Sequence, residues 1–277
     1  MRIAPMQRAD IERAIDWAAD EGWNPGLDDA AAFHAADPGG FLMGWVDEAP
    51  VAAISAIRHS ARFGFLGLYL CRPLWRGKGH GRQIWEAGLA LLGDRTVGLD
   101  GVAAQEANYA RAGFVLSHRT VRHRGTVAPA PSPRAVPCRA EHVPALLALD
   151  RRASGVEREA YLRAWFAEAP TRQTLVLEED GEVIGYGTIR VCREGAKVGP
   201  LHCADPADAE HLLRALALFV PPAGGVALDV PEPNFAAMAL ARDLGLTPVF
   251  GTARMYRGPA PEEDHVPVFG EVTLELG

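Results

Sequence analysis

The chain has 277 residues, of which 48% are hydrophobic and 23% charged, and its formal net charge is −7. That length buries a sizeable core and accommodates one large or two modest domains, while the negative balance argues against a broad nucleic-acid surface. There is no long apolar run suited to a membrane span, and Met1-Arg2-Ile3-Ala4-Pro5 lacks the apolar core of a signal peptide, so the expectation is a cytoplasmic protein without a membrane partner. Cys71, Cys138, Cys192 and Cys203 are dispersed without C-x-x-C spacing, so reduced thiols and no metal are expected. The Ala, Arg, Gly and Pro content suggests a bacterial gene.

In chain order, helical spacing covers Ala9 to Glu21 and Ala30 to Ala36, with Glu21-Gly22-Trp23-Asn24 between them. Strands follow at Phe41–Val46 and Val51–Arg58 around the acidic turn Asp47-Glu48-Ala49-Pro50. The apolar run Phe65 to Cys71 reads as a buried strand. After it comes Arg76-Gly77-Lys78-Gly79-His80-Gly81, and then a helix with Ile84, Trp85, Gly88, Leu89, Leu91 and Leu92 on one side. Three glycines within six residues permit positive φ and close backbone approach to a ligand. Free N–H groups and the dipole at a helix start favour a diphosphate there. The spacing is not that of a P-loop, and it puts the third glycine one position early for the dinucleotide fingerprint. A strand at Thr96–Asp100 and a short helix from about Ala104 to Ala112 come next. That helix carries Asn108 and Tyr109, and Tyr109 lies four residues before Gly113-Phe114.

Three prolines among Pro129, Pro131 and Pro133 mark residues 127–134 as a stiff linker between a unit at 1–126 and another at 135–277. The second unit repeats the outline of the first. Helices Ala140 to Arg152 and Arg158 to Glu168 precede strands Thr174–Leu177 and Val183–Val191 around Glu179-Asp180-Gly181-Glu182. A strand ending in Asp229 and a closing Gly245-Leu246 complete it. This reads as a duplicated α/β unit, each copy a mixed β-sheet flanked by helices. The copies differ where chemistry is expected: the second has no glycine-rich basic turn, and Ala241 stands where Tyr109 stands in the first.

The pattern Arg76-x-x-Gly79-x-Gly81, followed downstream by Tyr109 and Gly113-Phe114, resembles the acyl-CoA pyrophosphate loop and general acid of the GNAT superfamily of N-acyltransferases. Val102 departs from the Asn often found there about seven residues before the Tyr, with Asn108 adjacent to the Tyr instead. Over nearly the whole chain, Glu21 to Gly26, Asp229 to Asn234, Arg254 to Gly258 and Leu274 to Gly277 look like a bacterial two-domain, YitH-like family whose second GNAT domain is degenerate. The resemblance implies an acetyl-CoA-dependent N-acetyltransferase, monomeric or homodimeric, acting on a primary amine such as an amino acid, polyamine or aminoglycoside-like compound. It implies that Leu68, Tyr69 and Leu70 hold the pantetheine arm by their backbone. Arg76, Gly77, Lys78, Gly79, His80, Gly81 and Arg82 would hold the pyrophosphate, with Asn108 beside the donor. Tyr109 would be the acid and Glu21 or Asp100 the base, with Trp23, Asn24, Asp229 and Glu232 around the acceptor. Two other readings stand beside it: an acyl-CoA sensor with little turnover, and a transferase using a longer acyl or an aminoacyl donor.

Overall fold

The computed structural model describes residues 1–221 and 224–277. The first half runs β1 (Arg2–Pro5), α1 (Arg8–Asp20), α2 (Asp29–Ala36), β2 (Phe41–Val46), β3 (Ala49–Ile57), β4 (Phe63–Cys71), α3 (His80–Leu92), β5 (Thr96–Val102), α4 (Glu106–Arg111) and β6 (Val115–Gly125). The second half repeats this as β7 (Ala135–Pro137), α5 (Val143–Ser154), α6 (Glu159–Trp165), β8 (Arg172–Glu179), β9 (Glu182–Val191), β10 (Ala196–Cys203), α7 (Pro206–Leu216), β11 (Val226–Pro231), α8 (Phe235–Asp243) and β12 (Thr247–Arg257). It then adds β13 (Val268–Gly270).

Local chemistry sets these elements. In α3, Ile84, Gly88 and Leu92 recur at helical spacing and are buried against β3 and β4. A Cβ on Gly88 would stand 3.0 Å from Ile54, so glycine lets the helix approach the sheet closely. α7 starts as its sequence suggests: the Asp205 side chain accepts from the Ala207 N–H at 2.7 Å, and Pro206 fills the first turn.

The described strands join one mixed sheet of 13, ordered β1-β2-β3-β4-β5-β12-β6-β11-β10-β9-β8-β7, with β13 beside β10. Only β4–β5 and β10–β11 pair in parallel among the described strands. The order shows that the halves exchange their last long strands. β12 of the second half lies against β5 of the first, and β6 of the first lies against β11 of the second. A cut at residues 127–134 thus divides the sequence but not the sheet. That connector is also not free: Val127 is buried in the second half's core, and Arg214 Nη1 donates to the Ala128 carbonyl at 3.0 Å. α1, α2, α5 and α6 of both halves share a single core, where Phe33 stacks on Trp165. Among the described residues, no helix is long and apolar enough to cross a membrane, and the four cysteines are free.

Candidate active site

β4 pairs with β5 only from Phe63–Thr96 to Leu66–Leu99. Beyond that point Leu68 takes a φ of +43°, the β3–β4 register slips, and β4 swings away while β5 continues along β12. The wedge so opened is a cavity of about 630 Å3. Gly67 to Cys71 form one wall, and their edge away from β3 has no strand partner among the described residues. Buried backbone groups on such an edge need a partner, and an extended ligand supplies one.

The glycine turn lies at the mouth of this wedge. Gly77 and Gly79 have φ of +76° and +83°, Gly79 is the N-cap of α3, and a Cβ on either would meet open space. At Gly81 a Cβ would fall 2.9 Å from the Tyr69 hydroxyl, so the missing side chain lets the helix start lie close beside β4. Arg76 donates from Nε to the Cys71 carbonyl at 2.8 Å and pairs with Glu21 through Nη2. The residues therefore fit a diphosphate ester bound by free N–H groups at the turn with its arm along β4.

Tyr109 lines the cavity, stacked on Trp85 at 5.3 Å. Gly101 makes this possible, since a Cβ there would stand 2.6 Å from the Tyr109 ring. Burial, and secondarily the neighbouring Tyr69, raise the phenol above its ordinary value, so it stays protonated at neutral pH. Asp100 also lines the cavity, but both its oxygens are held by Arg254, at 2.8 and 3.0 Å. Burial pushes its carboxyl up to about 6 against the pull of that guanidinium. Glu21 and Trp23 reach the cavity from the loop after α1, with Glu21 engaged by Arg76.

Several of the expected site residues lie outside the cavity lining. Asn24 does not face the cavity: its side chain bonds both backbone groups of Glu194 and so fastens its loop to the β9–β10 turn. Asp229 is buried away from the cavity lining, in a two-bond pair with Arg122 at 2.6 and 2.8 Å. Burial opposes its ionisation, but Arg122 outweighs it and holds the carboxyl below its ordinary range. Glu232 is exposed outside the lining. Asn108 is bonded to Gln105 and Arg111 on the exposed side of α4. Lys78 and His80 belong to the turn, but their side chains pack on Trp75 rather than line the cavity. Leu68, Tyr69, Leu70, Arg76, Gly77, Gly79, Gly81, Arg82, Asp100, Tyr109, Glu21 and Trp23 do converge on it.

The cavity also takes residues that the sequence reading did not assign to a site, although Leu274 to Gly277 stood out within the family resemblance. Phe250 and Thr252 come from β12, Arg122 from β6, and Leu274 and Glu275 from the C-terminal segment. The loop bearing Trp23 is clamped by the first half's exchanged strand β6 and by the second half. Arg122 and buried Lys197 both donate to the Trp23 carbonyl, at 2.9 and 3.2 Å, and the Leu27 N–H donates to the Val191 carbonyl at 2.9 Å. His118, Glu263 and His265 also approach one another elsewhere, with the Arg254 guanidinium 3.7 Å from Glu263 and the Tyr256 hydroxyl bonded to it.

The second half has the matching splay, and there it is filled. β10 pairs with β11 only over Ala196–Val198, after which β13 takes its edge at Leu201 and His202. The Glu271 N–H then bonds the Asp229 carbonyl at 2.8 Å. A Cβ on Gly199 would stand 2.3 Å from the Glu271 carbonyl oxygen, so the segment fits flush against the strand.

A mixed sheet with a splayed parallel pair, present twice in outline, and in the first copy a glycine turn on the following helix and a tyrosine in the gap, defines a tandem GNAT acyltransferase. Residues 8–114 match the acetyltransferase (GNAT) family and residues 146–270 match an acetyltransferase (GNAT) domain. The chain is 32% identical over 267 residues to the holothin acyltransferase of Pseudoalteromonas sp., covering 95% of this chain and 90% of that one. It belongs to the GNAT family and is an acyltransferase. Its fold is also that of a candidate acetyltransferase from Pyrococcus horikoshii (TM-score 0.84, 21% identity, 100% of this chain and 95% of that one). A tandem GNAT protein from the clavulanic acid biosynthesis pathway shares it as well (TM-score 0.65, 18% identity, 94% and 99%).

Proposed function

We propose that the chain transfers an acetyl group from acetyl-CoA to the primary amine of a small molecule, by direct attack with both substrates bound. In this reading the first half binds the donor, and the second half, degenerate in the YitH-like manner, braces the acceptor loop. The observation that carries it is the contrast between the two splays: β4 leaves an open edge leading to a glycine turn and Tyr109, whereas β10 is closed by the chain's own β13. Acetyl-CoA supplies an activated acyl carbon. Gly67 to Cys71 align its arm, the Gly77–Gly81 turn holds its diphosphate, and Tyr109 gives its proton to the departing sulfur. Holothin, the compound in the relative's name, is the first acceptor to try.

Calorimetric titration with acetyl-CoA, followed by thiol release over an amine panel, tests this. One site per chain, lost in Gly79→Asp/Gly81→Asp, is expected. Two sites would remove the asymmetry between halves, and no binding would remove the donor assignment. Binding without thiol release would turn the reading to an acyl-CoA sensor.

A further inference from the structure

The base is the piece of this chemistry that the expected residues do not supply, since Glu21 is held by Arg76 and Asp100 by Arg254. A third carboxylate lines the same cavity. Glu275 is 4% exposed, and its Oε2 is fully buried with no hydrogen-bond partner among the described residues. Its main chain is fixed, with the Ser55 hydroxyl donating to its carbonyl at 3.3 Å and that carbonyl packed so tightly on Gly67 that a Cβ there would overlap it. Thr252, on exchanged strand β12, lines the cavity too, and its buried Oγ1 is likewise without a partner. Buried polar atoms left unpaired are rare and costly, about 1–3 kcal/mol each. Two of them on one cavity mark a place where a ligand supplies the missing bonds.

We propose that Glu275 and Thr252 form the acceptor subsite: the Glu275 carboxylate holds the acceptor's amino group and takes its proton, and the Thr252 hydroxyl makes the second polar contact. This rests on the transferase reading above. The amine nitrogen forms a bond to the thioester carbonyl carbon, the C–S bond breaks, and its electron pair leaves on sulfur. The nitrogen's proton passes to Glu275 and the sulfur receives one from Tyr109, so amide and free thiol result, and both side chains return to their starting forms by exchange with solvent.

The subsite also selects the acceptor. Among the described residues, the other acidic side chains on the cavity, Glu21 and Asp100, are already paired with arginines. Arg122 on β6, Arg190 on β9 and Lys197 on β10 lie close enough for the Glu275 charge to support each of them. A polyamine or aminoglycoside would bring several positive charges to one free carboxylate among cations, and each unpaired one would be desolvated at a loss. Trp23 and Phe250 on the cavity wall instead suit an apolar, otherwise uncharged body bearing one amino group.

The test uses the full chain with acetyl-CoA and four acceptors: holothin, benzylamine, aniline and spermidine. Thiol release is followed against pH in wild type, Glu275→Gln, Glu275→Asp and Thr252→Val, with calorimetric acetyl-CoA affinity measured for each. Expected are turnover of a single-amine acceptor over spermidine and an unchanged donor Kd in every variant. Glu275→Gln should lose about 100-fold in kcat/KM together with the acid limb of the profile. Glu275→Asp should recover part of that loss, and Thr252→Val should raise the acceptor KM about tenfold with the pH profile intact. If Glu275→Gln fails to fold, Glu275→Asp and Thr252→Val carry the same comparison. Wild-type turnover that Glu275→Gln keeps within threefold, or spermidine as the best acceptor, overturns this inference alone. Acetyl-CoA binding without thiol release from any acceptor overturns the transferase reading, and the role of Glu275 with it.

Discussion

Arg254 on β12 faces Asp100 on β5 in register, and its guanidinium holds both oxygens of that carboxylate. The pair bridges the two halves of the sequence, because β12 is the strand the second half lends to the first half's sheet. Both side chains are almost wholly removed from water. Arg254 also lies 3.6 Å from Glu271 and 3.7 Å from Glu263, so Arg254→Met leaves Asp100 buried without its partner and takes the cation from both glutamates, a loss of about 3–5 kcal/mol. Arg254→Met should therefore lower stability to urea by that amount, and adding Asp100→Leu should recover only the part that Asp100 contributes. A single-variant loss below about 1 kcal/mol would show that the pair contributes little to holding the halves together.

Glu21 stands at the end of α1 and reaches the first arginine of the glycine turn. The pair is partly exposed, and such pairs contribute about 0–1 kcal/mol. Glu21→Gln should change the KM for acetyl-CoA by no more than about fivefold, in a salt-dependent way, with the pH profile of kcat unmoved. Loss of the acid limb of that profile would instead make Glu21 the base.

Tyr109 is protonated through the neutral range, so its removal should be felt in turnover and not in binding. Tyr109→Phe keeps the ring on Trp85 and should lower kcat by about 100-fold or more, with the acetyl-CoA Kd within twofold. An unchanged kcat would exclude the phenol as the proton source.

His202 lies buried on β10, where burial first of all depresses its pKa from 6.5 to about 4. Because the folded value lies below the unfolded one, the folded state binds fewer protons in that interval. The stability it contributes is complete above about pH 6.5 and is lost as pH falls toward 4, by roughly 3 kcal/mol. Urea denaturation across that range should show the decline in wild type and a shallower one in His202→Gln. Equal slopes would assign the acid sensitivity to other groups.

Much of this was legible in the chain because it is local. Apolar period marks Phe41–Val46 and α3, and Gly77 and Gly79 announce a turn with positive φ, with Gly81 close to Tyr69. The short strands β1 and β7 are too brief to carry a period. The exchange of β6 and β12 was not legible, since both are 11 residues long and nothing in either says which half it will pair with. Asp100 and Asp229 look alike as acids ending a strand, and only the fold shows that each is matched by an arginine. Thr252 was not singled out in the sequence, and Glu275 stood out only within the resemblance at Leu274 to Gly277; both reach the cavity by long-range threading, and their unpartnered buried oxygens are expressed by no spacing.

The exchange of β6 and β12 has a consequence for how such a gene changes over time. One of two repeated copies would ordinarily be free to drift or disappear. Here each copy depends on a strand that the other encodes, so deleting, swapping or expressing either alone removes a strand from the sheet of the other. Natural selection acting on the cavity is felt in both copies, and the repeat, once interleaved in this way, is difficult to reverse.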